Sequence, residues 1–384
     1  MEIYYGHPAQ EKIVGNIYHG RVEDVLPGLG SAFIDIGEKQ SLFLSQGEIS
    51  EAILDKKKIK TRRGVTSIDK ILRRGERLII QVRRGGIGTK NPQGTTKISL
   101  PGRFWVFLPT EDRMGTSRRI INEKEETRLR KIAQSLKRSS EGLIIRTAAQ
   151  QASRDDLERD FRFLASTWKG IEETAASGSE PRLLYRGMGL VQSILRDRLL
   201  PNVREVVVDS VRLHEKILQF LDYMKMDEYA ERIRPYEGKA SLFAMNDVER
   251  QIQQTFSRRV DLEGGGHLTI DETEALTAID VNTGGDIRHR NQEAAILNAN
   301  IEAAEEIPRQ LQLRKISGII VVDFVDIENA SDMNKVIARL QEGLNRDRMP
   351  AKYIDTTALG LVEITRKREG ESLADMLEHA DFQA

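Results

Sequence analysis

The chain has 384 residues, is 39% hydrophobic and 31% charged, and balances 59 basic against 59 acidic residues for a formal net charge of zero. That length holds two or more domains, and the absence of cysteine excludes a disulfide framework and every thiolate metal site. No apolar run approaches the length of a membrane span and the opening MEIYYGHPAQ lacks signal-peptide character, so a cytoplasmic protein with no intrinsic membrane span is expected.

Residues 14 to 45, VGNIYHGRVEDVLPGLGSAFIDIGEKQSLFLS, alternate apolar and polar in short runs broken by Pro27-Gly28, Gly30 and Gly37. The pattern predicts antiparallel strands joined by tight turns. ERLIIQVRRG and TKISL predict further strands, and five or so such strands bearing Tyr18, Phe33 and Phe43 suit a small barrel of oligonucleotide-binding type. Alternation alone leaves open whether Phe33 and Phe43 are core or surface. Residues 56 to 90 hold thirteen Lys or Arg against two acids, Asp69 and Glu76. Such a run is either a solvated loop or the electrostatic footprint of a polyanion site, and its neighbours must decide.

After FWVFLP, helices rich in Arg and Glu at about 123 to 138 and 153 to 169 flank GLIIRTA, a strand ending in Arg146 and Thr147. That is a small mixed α/β unit. A helical stretch at about 181 to 200, the strand REVVVDS and a second helix follow. From residue 260 the order is strand HLTIDETEALTAIDVN, a helix at about 291 to 313, strand ISGIIVVDFVDI, a helix at about 331 to 345, strand LGLVEITRK and a closing amphipathic helix, ESLADMLEHA. Leu297, Ile301, Ala304 and Leu311 supply the 3.6-period stripe of the long helix, with a kink expected at Pro308.

Two of these strands carry an oddity. ALTAIDVNTGG reads as a buried strand holding one carboxylate, Asp280, and GIIVVDFVDI repeats the pattern with Asp323. Burying an unpaired carboxylate costs several kcal/mol, so each should sit at its strand's open end with a cation or donor waiting. Should the strands be neighbours, both carboxylates emerge at one height and share a hard cation; oxygen ligands without His or Cys suit Mg²⁺ or Mn²⁺. Asn282 points to the same face as Asp280, and Glu302 and Glu305 on the next helix are placed to orient bound waters. The competing reading makes the acids structural, as helix caps or in salt bridges to Arg288 and Arg290. With the basic, aromatic-bearing barrel upstream, metal-assisted phosphodiester hydrolysis is the economical joint explanation. The alternatives are a noncatalytic single-stranded RNA-binding protein and a metal-dependent phosphoesterase acting on small nucleotides.

LTAIDVNTG, NANIEAAEEIPRQLQLRKISGIIVVDFVDI and LGLVEITRKR resemble the catalytic core of the ribonuclease E/G family of bacterial single-strand endoribonucleases. GNIYHGRVEDVLPGLGSAFIDIGEKQSLFLS resembles that family's oligonucleotide-binding barrel, and GLIIRT its sensor of the RNA 5′ end. The resemblance implies an α/β multidomain protein. It comprises a partial ribonuclease-H-like segment (1–13), the barrel (14–95), a mixed α/β 5′-end sensor unit (96–190), a ribonuclease-H-like portion (191–255) and a deoxyribonuclease-I-like catalytic domain (256–384). Asp280 and Asp323 then match metal-binding aspartates and Asn282 an orienting asparagine. Phe33, Phe43 and Lys90 match positions that hold single-stranded RNA, with Arg118 and Arg119 in GTSRRI counted beside them. Gly102, Val106, Arg146 and Thr147 match a 5′-monophosphate pocket; for Arg146 the alternative is a structural pair with Asp155, Asp156 or Glu158. The implied cofactor is Mg²⁺, with Mn²⁺ as substitute. Zinc and a zinc-linked dimer are not expected in a chain without cysteine, and the segment before the barrel and the small domain after residue 384 are expected to be missing. Pro350 stands where the family has a basic residue beside the phosphate pocket, with only Lys352 nearby, so the 5′-end preference should be modest. The expected partners are single-stranded RNA and further copies of the chain in a homo-oligomer. The expected activity is Mg²⁺-dependent cleavage leaving 5′-phosphate and 3′-hydroxyl ends, favouring 5′-monophosphorylated RNA, in RNA processing or decay.

Overall fold

The computed structural model describes residues 3–4, 13–59, 67–86, 91–200, 202–284, 292–367 and 373. The chain divides into two compact units, Gly6–Tyr236 and Glu237–Ala384 with Met1–Tyr5. Among the described residues no helix is long and apolar enough to cross a membrane.

The first unit begins with a closed five-stranded barrel. Strands β1 (Ile17–Leu26), β2 (Ser31–Asp35), β3 (Leu42–Ser45), β4 (Arg77–Arg84) and β5 (Gln93–Thr95) pair in the order β1-β2-β3-β5-β4, and β4 returns to β1. Two short helices, α1 (Glu51–Lys56) and α2 (Ile68–Ile71), lie between β3 and β4. Period-2 alternation fills the interior with Tyr18, Val22, Ala32, Ile34, Leu42, Leu44, Ile80 and Val82, none more than 1% exposed. TKISL does not form the strand expected of it. The Thr96 and Thr110 hydroxyls accept the Ser50 and Ile98 amides at 2.7 and 3.0 Å, taking the place of a ladder there. Pairing falls on either side, in β5 and in β6 (Leu100–Pro101).

β6, β7 (Trp105–Leu108), β8 (Met114–Thr116) and β9 (Gly142–Ile145) form a four-stranded sheet in the order β6-β7-β9-β8. Helices α3 (Glu123–Leu136) and α4 (Arg154–Ala176), capped by the side chains of Asn122 and Ser153, bury Leu129, Leu157, Phe161 and Leu164 against its Trp105, Phe107, Leu143 and Ile145. The helical stretch expected at 181 to 200 divides in two. Arg182–Tyr185 is strand β10, taken up by the free edge of β1, and only Leu190–Arg198 is helix, α5. Gly187 and Gly189 separate them, and an edge that needs pairing outweighs local propensity. The unit closes with the parallel pair β11 (Val206–Val208) and β12 (Ile233–Pro235) around α6 (Val211–Tyr223).

In the second unit, α7 (Leu242–Met245) and α8 (Val248–Gln254) precede a six-stranded sheet. Its strands are β13 (Arg259–Asp261), β14 (His267–Glu272), β15 (Leu276–Asn282), β16 (Gly318–Asp323), β17 (Ala351–Thr356) and β18 (Val362–Arg366), in the order β13-β14-β15-β16-β18-β17. The single strand expected over 267 to 282 is a hairpin. At its turn Thr273 Oγ1 donates to Leu276 O at 2.7 Å and accepts its amide at 3.2 Å. Edge strand β17 was not expected. Helices α9 (Gln292–Leu313) and α10 (Ala330–Asn345) cover one face only, where Ala304, Ile307, Leu311, Val336 and Leu340 pack on Ile279, Val281, Ile320, Val322 and Ile364. α9 continues as one helix through the buried Pro308. Of the expected closing helix only Leu373 is described, and it is buried.

Candidate active site and RNA interface

β15 and β16 are the only parallel neighbours described in the six-stranded sheet, joined by the α9 crossover, and their register sets Asp280 directly beside Asp323. Neighbouring strands run about 4.7–4.9 Å apart. Along β15, Thr277, Ile279 and Val281 face inward while Ala278 and Asp280 face solvent; in β16, Ile320 and Val322 are inward and Asp323 is outward. The expected fully buried strands are therefore half-buried, and neither carboxylate carries the desolvation penalty the sequence suggested. Both lie on the face that α9 and α10 leave uncovered, near the strands' carboxyl ends.

Asn282, on the same face, donates from Nδ2 to Asp280 Oδ2 at 2.7 Å and so fixes that carboxylate's rotation. Gly284 after it serves close packing: a Cβ there would lie 2.5 Å from the Gly265 carbonyl oxygen. Glu302 and Glu305 have other partners. Glu302 accepts the Gly264 amide at 2.8 Å and Glu305 accepts from Arg339 at 2.6 Å, and α9 packs on the opposite face of the sheet. Arg288 and Arg290 lie outside the described residues. No group of three or more His, Asp or Glu able to hold a metal occurs among the described residues. Two registered carboxylates and an amide nevertheless fit Mg²⁺, which binds through one or two carboxylates and keeps several waters.

A second constellation lies where β6 and β9 end and β7 begins. Arg146, directly after β9, is mostly buried and donates from Nη1 to the Gly102 carbonyl at 2.5 Å and from Nη2 to Asp197 of α5. Two of its expected alternative partners are engaged elsewhere: Glu158 binds Arg154 and Arg162, and Asp156 accepts from Ser153. Thr147 Oγ1 lies 2.8 Å from Ser117 Oγ, and Val106 pairs with Pro101 and Ile144 on either side. Gly102 has no room for a side chain, since a Cβ would sit 2.7 Å from both Asp160 oxygens. Asp160 in turn accepts the amides of Arg103, Phe104 and Trp105 at 3.2, 2.8 and 3.3 Å. Burial pushes the Asp160 carboxyl above its ordinary pKa despite those donors, and burial likewise lowers that of Arg146 against the opposing charge of Asp197. Burial also acts to raise Asp197, but the hydrogen bond from Arg196 and the charge of Arg146 outweigh it and hold the carboxylate low. Arg118 and Arg119 follow Ser117 directly and are exposed.

On the barrel, Phe33 and Phe43 are registered partners on β2 and β3. Their rings meet edge to face, 6.0 Å between centroids. Because Ala32, Ile34, Leu42 and Leu44 occupy the inward positions, both rings are on the outside. Within the basic run, Lys57 pairs with Glu76 and Arg83 with Glu48, whereas Lys56, Arg73 and Arg74 are exposed. Lys90, Lys60, Arg62 and Arg63 lie outside the described residues.

The model of the Ribonuclease E/G family matches residues 99–369. Ribonuclease G of Haemophilus influenzae is 39% identical over 379 residues, covering 98% of this chain and 77% of that protein. Ribonuclease G of Escherichia coli is 38% identical over 380 residues, with the same coverage. Ribonuclease E of Nostoc sp. is 35% identical over 365 residues, 94% of this chain and 52% of that protein. The chain belongs to the ribonuclease E/G family.

Within this ribonuclease E/G chain, sequence patterning missed Ser117, Asp160 and Asp197. Each meets its partner across 30 to 57 residues, beyond any local periodicity. The one sequence signal for Asp197 is an acid directly after Arg196 near the end of an otherwise amphipathic helix.

Proposed function

We propose that the chain cleaves single-stranded RNA internally by Mg²⁺-dependent hydrolysis, leaving 5′-phosphate and 3′-hydroxyl ends, and acts faster on 5′-monophosphorylated RNA, in RNA processing or decay. Family membership makes it an endoribonuclease. The observation that carries the finer reading is the registered pair Asp280 and Asp323 on an open sheet face, with Asn282 fixed on Asp280 at 2.7 Å. Asp280 and Asp323 would hold the ion, Mg²⁺ or Mn²⁺, which when bound polarises the scissile phosphate and lowers the pKa of water. Asn282 holds Asp280 in its ligating rotation. Phe33 and Phe43 offer stacking surfaces to bases, while Arg118, Arg119, Lys90 and the exposed part of the basic run neutralise phosphates. Gly102, Val106, Arg146 and Thr147 receive a 5′-terminal monophosphate, whose extra charge and free oxygens suit a guanidinium fork beside a hydroxyl.

The resemblance supports assigning residues 14–95 to the barrel, 96–190 to the sensor unit, 1–13 and 191–255 to ribonuclease-H-like portions and 256–384 to a deoxyribonuclease-I-like domain. It also supports a cytoplasmic location and assembly with further copies of the chain. The test incubates the protein with single- and double-stranded RNA, with Mg²⁺ or with excess chelator. Metal-dependent cuts within single strands, ending in 5′-phosphate, are the expected result. Binding without cleavage, or a 2′,3′-cyclic phosphate product, refutes the mechanism.

A further inference from the structure

We infer that Asp197 is a positioning residue for 5′-end selection: it fixes the Arg146 guanidinium in the orientation that receives a terminal phosphate, while Arg196 cancels its charge. The inference rests on the proposed reading of Gly102, Val106, Arg146 and Thr147 as the 5′-monophosphate pocket.

Arg146 is anchored at two points on separate segments, the Gly102 carbonyl at 2.5 Å and Asp197 Oδ1. Two acceptors fix the plane of the guanidinium fork, and three of its five N–H groups are left for a ligand. Asp197 is gripped from its other side by Arg196, whose Nε donates to Oδ1 at 2.6 Å and Nη2 to Oδ2 at 3.1 Å. Arg196 is almost fully buried, at 9% side-chain exposure, against 19% for Arg146 and 30% for Asp197.

The charges explain the arrangement. A lone carboxylate beside the pocket would repel an incoming phosphate dianion, and two guanidinium groups without it would repel each other. Shared between them, Asp197 leaves a trio of net charge +1 in which the fork on Arg146 is already immobilised. Immobilising such a side chain only on binding costs about 2- to 12-fold in affinity. Losing Asp197 therefore costs selectivity, since the fork must then be ordered by the phosphate itself and is displaced by Arg196.

The experiment compares one RNA carrying either a 5′-monophosphate or a 5′-hydroxyl, with the unmodified protein, Asp197→Asn and Asp197→Glu. The readout is the ratio of kcat/KM for the two RNAs, with the separate KM and kcat values. A merely structural role lowers both RNAs alike and leaves the ratio unchanged. We expect the ratio to fall by about 2- to 12-fold, or to one if that is reached first, through KM for the monophosphorylated RNA. Asp197→Glu, which keeps the charge but moves it by one methylene, carries the same test should the Asn variant not fold. A ratio retained or raised in the variants overturns the inference alone. Equal rates in the unmodified protein overturn the 5′-end reading, and the inference with it.

Discussion

Replacing Asp323 with Asn removes one of two charges that the β15–β16 register places side by side, and leaves shape and hydrogen-bonding capacity nearly intact. The Coulomb attraction lost to a divalent ion at 4 Å is about 2 kcal/mol in water and about 8 kcal/mol at an effective dielectric constant of 20. Both carboxylates are solvent-exposed, so the loss falls toward the lower figure. We expect about 2–4 kcal/mol, or roughly 30- to 1,000-fold weaker Mg²⁺ binding. Stability should move the other way. Like charges at adjacent positions of neighbouring strands cost about 0.2–1 kcal/mol, so the metal-free variant should melt at the same temperature or slightly higher. The assay is the cleavage rate of a single-stranded RNA as a function of Mg²⁺ concentration at constant ionic strength, with melting curves in the presence and absence of Mg²⁺. The unmodified protein should gain stability from Mg²⁺ by mass action and the variant should gain less. An Asp323→Asn protein with an unaltered Mg²⁺ midpoint and rate would refute the metal assignment.

Phe33→Ala should weaken single-stranded RNA binding by roughly 5- to 150-fold, the worth of one stacked base. Its unfolding midpoint should fall only by the edge-to-face pair with Phe43, about 0.5–1.5 kcal/mol; a loss of 3–5 kcal/mol would return the ring to the core. Arg146→Gln should abolish the advantage of 5′-monophosphorylated RNA over its 5′-hydroxyl counterpart, and a retained advantage in matched kinetics would show that another group reads the end. Glu125 has its pKa lowered to about 2, first by the hydrogen bonds from Arg128 and then by the amide of Gln151, against the opposing effect of burial. Because the folded-state pKa is depressed, its contribution to stability is present above about pH 4.5 and is lost as pH falls through about 2. Thermal unfolding of Glu125→Gln should lack that part of the acid loss, and an identical acid profile would contradict the pairing.

The barrel was legible in sequence because its strands are short, alternating and punctuated by Gly and Pro, so that period and breaks agree. The inside–outside assignment of Phe33 and Phe43 was not, since alternation gives two faces without saying which encloses the core; Ala32, Ile34, Leu42 and Leu44 decide it only once the barrel closes. Arg182–Tyr185 failed as a helix because pairing with β1 spans more than 160 residues, and no local window contains that partner. The hairpin within 267 to 282 was hidden by a turn made of Thr and Glu rather than of Gly and Asn. Asp197 was hidden for the same reason as β10, its partner Arg146 lying 51 residues away.

The acid pair depends on the one described feature of the six-stranded sheet that departs from its antiparallel remainder. In an antiparallel neighbour pair the carboxyl ends of two strands lie at opposite edges, so acids placed late in each strand would be separated by the strand length. β15 and β16 run parallel because the α9 crossover returns the chain to the starting edge, as a strand–helix–strand connection between parallel neighbours must. Asp280, two residues before the end of β15, and Asp323, the last residue of β16, thereby reach the same edge, where crevices outside strand carboxyl ends accept ligands in open α/β sheets. The crossover helix also determines which side chains the opposite face presents. By packing its apolar stripe on Ile279 and Val281, α9 commits the opposite side chains of β15 to solvent, and a strand whose period is two leaves Asp280 nowhere else to point.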